Sequence, residues 1–119
     1  MVTLEDVRAV ASTLPRSYEV LARGRVKFRV GQIVWLACSR DETEMGFAFP
    51  KEWRPALVES EPEKYRLPRD SDLRFNWAVV RLAALDLDEL RELVLDAWSM
   101  VVPKYVAEGY AATAATDAS

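Results

Sequence analysis

The chain has 119 residues, of which half are hydrophobic, and its single cysteine cannot form an internal disulfide. This length corresponds to one domain that can bury a core without covalent or metal crosslinks. The net charge of -3 and a pI near 5.0 argue against the tight non-specific polyanion binding of strongly basic domains.

The location expected from these features is the cytoplasm. The acidic start at Glu5 and Asp6 lacks the cations and the apolar stretch of a signal peptide. No apolar segment approaches the roughly 18–20 residues that span a bilayer, so we expect no membrane association. A lone Cys38 is typical of proteins in reducing compartments.

The first predicted helix begins at a Thr3 cap and ends at Pro15. Asp6 stands three residues after Thr3, which is a weak form of the capping box. Apolar residues then recur at helical spacing up to Leu14. Residues 18–22 are predicted to form a short strand.

A basic hairpin follows. Arg25, Lys27 and Arg29 alternate with three apolar residues, and Gly31 comes directly after them with Gln32. Alternation with a period of two indicates a strand with the cations on one face. A glycine at the first central position suits a two-residue type II′ turn, and the partner strand is predicted over residues 33–39.

This turn predicts which residues share each face of the hairpin. The core face is expected to hold Val26, Phe28, Val30, Ile33, Trp35 and Ala37. The other face is expected to hold Arg25, Lys27, Arg29, Val34, Leu36 and Cys38. Two interpretations stay open: a solvated face on which cation stems cover Val34 and Leu36, or a binding face. An error of one residue would exchange the faces of the partner strand.

The remaining elements complete an α+β fold. We predict a strand at 44–49, a short helix at 54–60, a loop at 63–74 with one short strand, and a strand at 76–83. A helix begins at Asp86, where Glu89 completes a capping box, and ends at Pro103. The expected architecture is a mainly antiparallel sheet covered on one face by the N- and C-terminal helices. Residues 1–106 form the domain and residues 107–119 a flexible tail.

Charge is segregated along the chain. Residues 16–29 hold five cations against Glu19, and residues 64–81 hold five against Asp70 and Asp72. Such segregation permits a basic patch on an acidic protein. The candidate nucleic-acid-binding residues are Arg23, Arg25, Lys27, Arg29, Arg66, Arg69 and Arg74.

Catalytic and metal chemistry is not indicated. The chain has no histidine, the commonest general base and metal ligand. We interpret Cys38 as structural filler, and the acidic stripe Asp88, Glu92 and Asp96 as a solvated helix face rather than a metal site. Three tryptophans at apolar positions, Trp53, Trp77 and Trp98, are expected to pack in the core. The protein is therefore expected to be non-enzymatic, with no cofactor and no metal.

The chain resembles the MmcQ/YjbR family over about residues 3–105. The motifs that carry the resemblance are the run Trp77 to Asp86, the segments Asp88 to Leu93, Asp96 to Trp98 and Val102 to Lys104, the helix ending in Leu14-Pro15, and the hairpin Phe28 to Gly31. The resemblance implies a frataxin-like sandwich, sometimes described as a double wing. It also implies a bacterial DNA-binding protein and brings no catalytic residues.

Two functions follow as expectations. The first is weak, salt-dependent DNA binding by a monomer through the basic hairpin and the loop from Arg66 to Arg74. The alternative is a module that binds a protein or a small anionic ligand through the apolar part of the same face, at Val34 and Leu36.

Overall fold

The computed structural model describes the backbone of residues 1–118 and the side chains of residues 1–112. Its elements in chain order are α1 (Leu4–Ala11), β1 (Ser17–Ala22), β2 (Arg25–Val30), β3 (Ile33–Cys38), β4 (Glu44–Ala48), α2 (Arg54–Ser60), β5 (Tyr65–Arg66), β6 (Trp77–Arg81), α3 (Leu87–Ser99) and α4 (Lys104–Ala118). No helix in this described part of the chain has the length and apolarity required to cross a membrane.

The six strands form one sheet in the order β1-β2-β3-β4-β6-β5, and all neighbouring pairs are antiparallel. Helix α3 packs on β3 and β4, and α1 packs on α3. The largest fully buried side chains are Trp35, Trp98, Phe28 and Phe47. The predicted α+β class with a mainly antiparallel sheet is confirmed.

Both long predicted helices begin at reciprocal capping boxes. Thr3 and Asp6 cap α1, and Asp86 and Glu89 cap α3. Each pair satisfies backbone N–H groups that the first turn leaves without helical partners. The indole of Trp98 donates to the carbonyl oxygen of Pro15 at 2.8 Å, so the segment after α1 is joined to α3.

The C-terminal segment differs from the prediction. Helix α4 begins directly after Pro103 and continues to Ala118, through most of the segment expected to be a flexible tail. Val106, Ala107 and Tyr110 pack against the core, and the Tyr110 ring meets the Trp98 ring edge-on at 5.3 Å. The domain therefore extends past the predicted boundary at residue 106. Ser119, the last residue of the predicted tail, lies outside the described residues.

The hairpin register follows the prediction only next to the turn. Gly31 has a φ of 60°, and Val30 pairs with Ile33 and Arg29 with Val34, as predicted. A β-bulge then shifts the register, so that Phe28 pairs with Leu36 and Lys27 with Ala37. A bulge inserts one extra residue and reverses the faces beyond it.

The bulge corrects the predicted face of three residues. Leu36, expected beside the cations, is fully buried in the core, and so is Cys38. Ala37 moves the other way, from the expected core face to the face that carries Lys27. At the turn, Ile33 was expected in the core but is 52% exposed. Of the two predicted apolar face residues, only Val34 keeps its place.

Candidate binding face

One face of the sheet carries the residues that alternate with the core residues along the strands. We call it the open face, and on it lie Arg25, Lys27, Arg29, Val34, Ala37, Gly46, Ala48, Trp77 and Val79. The strand register places one row of residues across it: Val20, Lys27, Ala37, Gly46, Val79 and Arg66. Ala37 and Gly46, at the centre of this row, are its smallest members. The sheet therefore forms a shallow trough there, with a cation on each side.

This trough is the floor of a groove with a cavity volume of about 490 Å³, which adjoins a second lobe of about 660 Å³. We call the two lobes together the groove. The residues that line both lobes are Arg25, Lys27, Ala37, Arg69, Asp72 and Trp77. The loop after β5 thus contributes one wall of the groove, and β2 contributes the opposite wall.

Trp77 lies across Gly46 on the neighbouring strand. A Cβ built on Gly46 would be 2.5 Å from Nε1 and 2.6 Å from Cζ2 of the indole, closer than real Cβ atoms approach. The indole therefore occupies the space that any other residue at position 46 would need. The sequence predicted that Trp77 packs in the core. The residue is instead half-buried and lies on the groove floor.

Arg54, at the start of α2, holds the strand that carries Trp77. Only 7% of this residue is exposed, and its guanidinium donates to the carbonyl oxygens of Leu73, Phe75 and Trp77 at 2.7, 3.1 and 2.9 Å. The five donors of arginine suit such a multiple contact. The entry to β6 and the groove wall before it are thereby fixed to α2.

The predicted cations of the hairpin share the open face, but their surroundings differ. Arg25 donates from Nε to the carbonyl oxygen of Cys38 at 3.2 Å. Within the described side chains, no carboxylate pairs with Arg25, Lys27 or Arg29. Arg29 lies outside the groove lining, and its Nε is buried without a hydrogen-bond partner. Arg23 lines the second lobe from the turn before β2, with a φ of 54°.

The three predicted cations of the second segment are spread more widely. Arg69 lines the groove and forms an ion pair with Asp72 at 3.4 Å. Arg66 and Arg74 lie outside the lining. Arg66 is paired with Glu44 at 2.6 Å, and the Arg74 guanidinium lies 4.8 Å from the centroid of the Phe75 ring. The structure therefore brings Arg23, Arg25, Lys27 and Arg69 together around one groove and leaves the other three outside it.

The only cysteine does not contribute to this face. Cys38 is 1% exposed, and burial raises the pKa of its thiol from 9.0 to about 11. A buried thiol stays protonated at neutral pH and is a poor nucleophile. The geometry agrees with the interpretation of Cys38 as a structural residue.

Lys64 is the second buried cation, and it lies away from the groove. Its ammonium contacts the carboxylate of Glu89 and lies 3.8 Å from Glu61. Burial alone would lower the pKa of Lys64, but the hydrogen bond with Glu89 and the charges of Tyr65 and Glu61 outweigh it and raise that pKa. Lys64 thus joins the end of α2 to the first turn of α3.

Residues 12–100 match the family model described as YjbR. The chain belongs to the YjbR family.

A crystal structure of similar fold exists for this YjbR family member. It is that of the Deinococcus radiodurans protein DR2400, described by the family-model domain DUF419, with a TM-score of 0.73 and 21% sequence identity. The similarity covers 85% of this chain and 79% of DR2400, and at this identity it concerns the fold alone. The search of curated proteins found no match to the chain.

Sequence reasoning missed Trp77 as a residue of the face, together with the small residues beside it. The available signal was Gly46 inside a predicted strand, since a strand glycine often marks a close approach by another group. Trp53 was also misplaced, because it is 67% exposed. Only Trp98, fully buried, lies in the core as predicted.

Proposed function

We propose that this YjbR family member is a non-enzymatic DNA-binding protein that holds DNA in the groove of its open face. The observation that carries the proposal is the meeting of Arg25 and Lys27 with Arg69 around one trough, although Arg69 is distant from them in the sequence. Arg25 and Lys27 have no carboxylate partner among the described residues, so their charges remain for phosphate oxygens.

The charge of the whole protein supports DNA binding at the groove and not elsewhere on the surface. The net charge is -3, whereas the groove lining holds five cations and three acids, so the groove is a cationic region on an acidic molecule: Arg23, Arg25, Lys27, Arg40 and Arg69 against Asp41, Glu44 and Asp72. Binding through so few cations is weak and strongly dependent on salt. For about three phosphate contacts, the logarithm of the affinity should fall with the logarithm of salt with a slope of roughly -2 to -3.

The non-enzymatic part of the proposal rests on residue types and burial. The sequence has no histidine, and the only thiol is buried with a raised pKa. In the part of the chain that the structure describes, no three acidic or cysteine side chains are grouped as metal ligands. The stripe Asp88, Glu92 and Asp96 on α3 is accordingly interpreted as a solvated face.

Fluorescence anisotropy of labelled DNA at low salt tests the proposal. We expect binding in the micromolar to tens-of-micromolar range and its loss in Arg25→Glu/Lys27→Glu. The matched control is Arg91→Glu/Lys104→Glu, which changes the net charge equally at residues outside the groove lining. Absence of binding by the wild type, or equal losses in the two double variants, would contradict DNA binding in the groove.

A second candidate function has its own supporting observation. The first lobe, at about 490 Å³, lies within the size range of small-ligand sites, and its lining includes Val34, Ala48, Phe75 and Met100. A module for a small anionic ligand or a protein segment would use these apolar walls. Chemical-shift changes confined to Val34 and Phe75 and insensitive to salt would favour this function over DNA binding.

A further inference from the structure

The groove floor contains a feature that phosphate binding alone does not use, namely the indole of Trp77. The edge of the ring from Nε1 to Cζ2 faces Gly46, and Trp77 is still partly exposed within the groove lining. The cation–π contacts of the described side chains involve Tyr105, Tyr65 and Phe75, so none of them is made with the Trp77 ring. Trp77 thus presents part of an aromatic side chain between the cations that line the groove.

We infer that Trp77 stacks on an unpaired nucleobase, so that the groove binds DNA as a single strand in preference to a duplex. This inference rests on the proposed function, because it assigns the form of DNA that the same groove takes. Stacking on aromatic side chains is the usual way in which open sheet surfaces hold single strands, and it tolerates any base sequence.

The position of the indole explains why the groove should bind a single strand more tightly than a duplex. Trp77 lies on the groove floor, while Lys27 is two strands away from Gly46 in the register, about 10 Å at the spacing of neighbouring strands. In a duplex, each base face is covered by its neighbours and only base edges and phosphates are accessible. A duplex could therefore contact the cations but could not place a base face on Trp77.

The surroundings of the indole fit a base with a flanking phosphate. Apolar side chains of Ala37 and Phe75 line the groove together with Trp77 and exclude water from the base. Arg25 and Lys27 are on the β2 side, and Arg69, which is paired with Asp72 at 3.4 Å, is on the opposite wall. The arrangement is an aromatic surface between two cationic sides, which matches a base that carries a phosphate in each direction along the strand.

The experiment compares two labelled probes, oligothymidine of about 15 nucleotides and a duplex of the same length. We expect the single strand to bind more tightly than the duplex. Trp77→Leu should weaken single-strand binding at least about fivefold and should weaken duplex binding by a smaller factor. Trp77→Phe should restore most of the lost affinity, and Trp53→Leu, which removes an exposed indole outside the groove, should have no effect.

A spectroscopic measurement supports the variants and does not depend on their stability. In a Trp53→Phe background, the remaining indoles besides Trp77 are fully buried. Stacking of a base on Trp77 should then quench the tryptophan emission on addition of oligothymidine but not of duplex. Absence of quenching at saturating oligothymidine would overturn the inference, even if Trp77→Leu proved poorly folded.

The outcomes separate the inference from the proposed function. Equal binding of both probes, lost in Arg25→Glu/Lys27→Glu and unchanged in Trp77→Leu, overturns the single-strand preference and leaves DNA binding intact. Absence of binding to either probe overturns both. A free thymidine nucleotide that bound as tightly as the oligomer would also overturn the assignment of a single strand.

Discussion

Trp77 and Gly46 lie on adjacent strands, and the indole fills the space that a side chain at position 46 would need. A Cβ at position 46 would be 2.5 Å from Trp77 Nε1. The indole can occupy this place on the open face only because position 46 has no side chain. The geometry of the proposed stacking surface therefore depends on two residues that are 31 positions apart in the sequence.

Gly46→Ala should destabilise the protein through the indole. The added methyl group has to displace Trp77, and overpacking of this kind costs about 1–3 kcal/mol. In a Trp77→Leu background the same substitution should cost less than about 1 kcal/mol, since the clash is gone. Urea unfolding of the four proteins gives this double-mutant cycle. An equal cost in both backgrounds would mean that the indole does not constrain position 46.

Arg54→Leu should be among the most destabilising substitutions in the chain. It leaves the carbonyl oxygens of Leu73, Phe75 and Trp77 without the guanidinium that binds them. Hydrogen bonds to charged groups contribute about 1.5–3 kcal/mol each, so a loss of at least about 3 kcal/mol is expected. Arg54→Lys, which has no forked donor group, should recover only part of the loss.

The control for this substitution is Arg91→Leu on the exposed side of α3. Arg91 makes one ion pair at 3.4 Å, with its side chain 58% exposed, and such pairs contribute little. Its free energy of unfolding should stay within about 0.5 kcal/mol of the wild type. Similar losses for Arg54→Leu and Arg91→Leu would contradict the assigned role of Arg54.

The contact between Lys64 and Glu89 should stabilise the folded protein, and its contribution to the free energy of unfolding should depend on pH. The folded-state pKa of Lys64 is raised above its ordinary 10.5. Its pairing therefore contributes fully below about pH 10.5 and is lost as the pH rises through the folded-state pKa. A double-mutant cycle of Lys64→Met and Glu89→Gln should show favourable coupling at pH 7, because each single variant leaves a polar partner unpaired.

Glutamine at position 89 is chosen because it still completes the capping box with Asp86, so the loss does not arise from the helix cap. Coupling that is absent at pH 7, or that is unchanged when measured above the folded-state pKa of Lys64, would show that the pair does not join α2 to α3 energetically.

The buried thiol of Cys38 should make the protein less stable at alkaline pH. Burial raises its pKa from 9.0 to about 11, so above pH 9 the unfolded chain releases a proton that the folded chain retains. Stability then falls between about pH 9 and 11, by on the order of 2–3 kcal/mol from this group. Tyr65, whose pKa is raised by burial, and Lys64 act in the same direction.

Cys38→Ala isolates the contribution of the thiol. The variant loses buried volume at every pH, but its stability should fall less steeply than that of the wild type between pH 9 and 11. A thiol-reactive dye should also label the native wild type only at the rate of unfolding. Parallel pH profiles for the two proteins, or rapid labelling of the native state, would contradict the burial of this group.

Local sequence signals predicted the elements whose causes are local. The reciprocal pairs Thr3 with Asp6 and Asp86 with Glu89 fix helix starts, since capping involves residues three positions apart. Gly31 fixes the turn of the basic hairpin. Helix α4 was missed, although Pro103 at its start and the alanine-rich segment after it favour a helix.

The candidate site was predicted in part. Alternation along β2 identified the cationic face, because the strand period is a property of the chain itself. The bulge in β3 could not be derived from this pattern, and it moved Leu36 into the core and Ala37 onto the open face. The tertiary structure also pairs Arg66 with Glu44, a contact between distant segments that the sequence alone gave no reason to expect.

The amino-acid sequence by itself determined that this is an α+β domain with a cationic strand, because caps, turns and periodicity act within a few residues. Only the tertiary structure decided which distant residues come together, since the strand pairing places Trp77 against Gly46 and packing places Arg69 in the lining of the same groove as Lys27. These contacts between distant segments depend on the assembled sheet, and no short-range pattern encodes them.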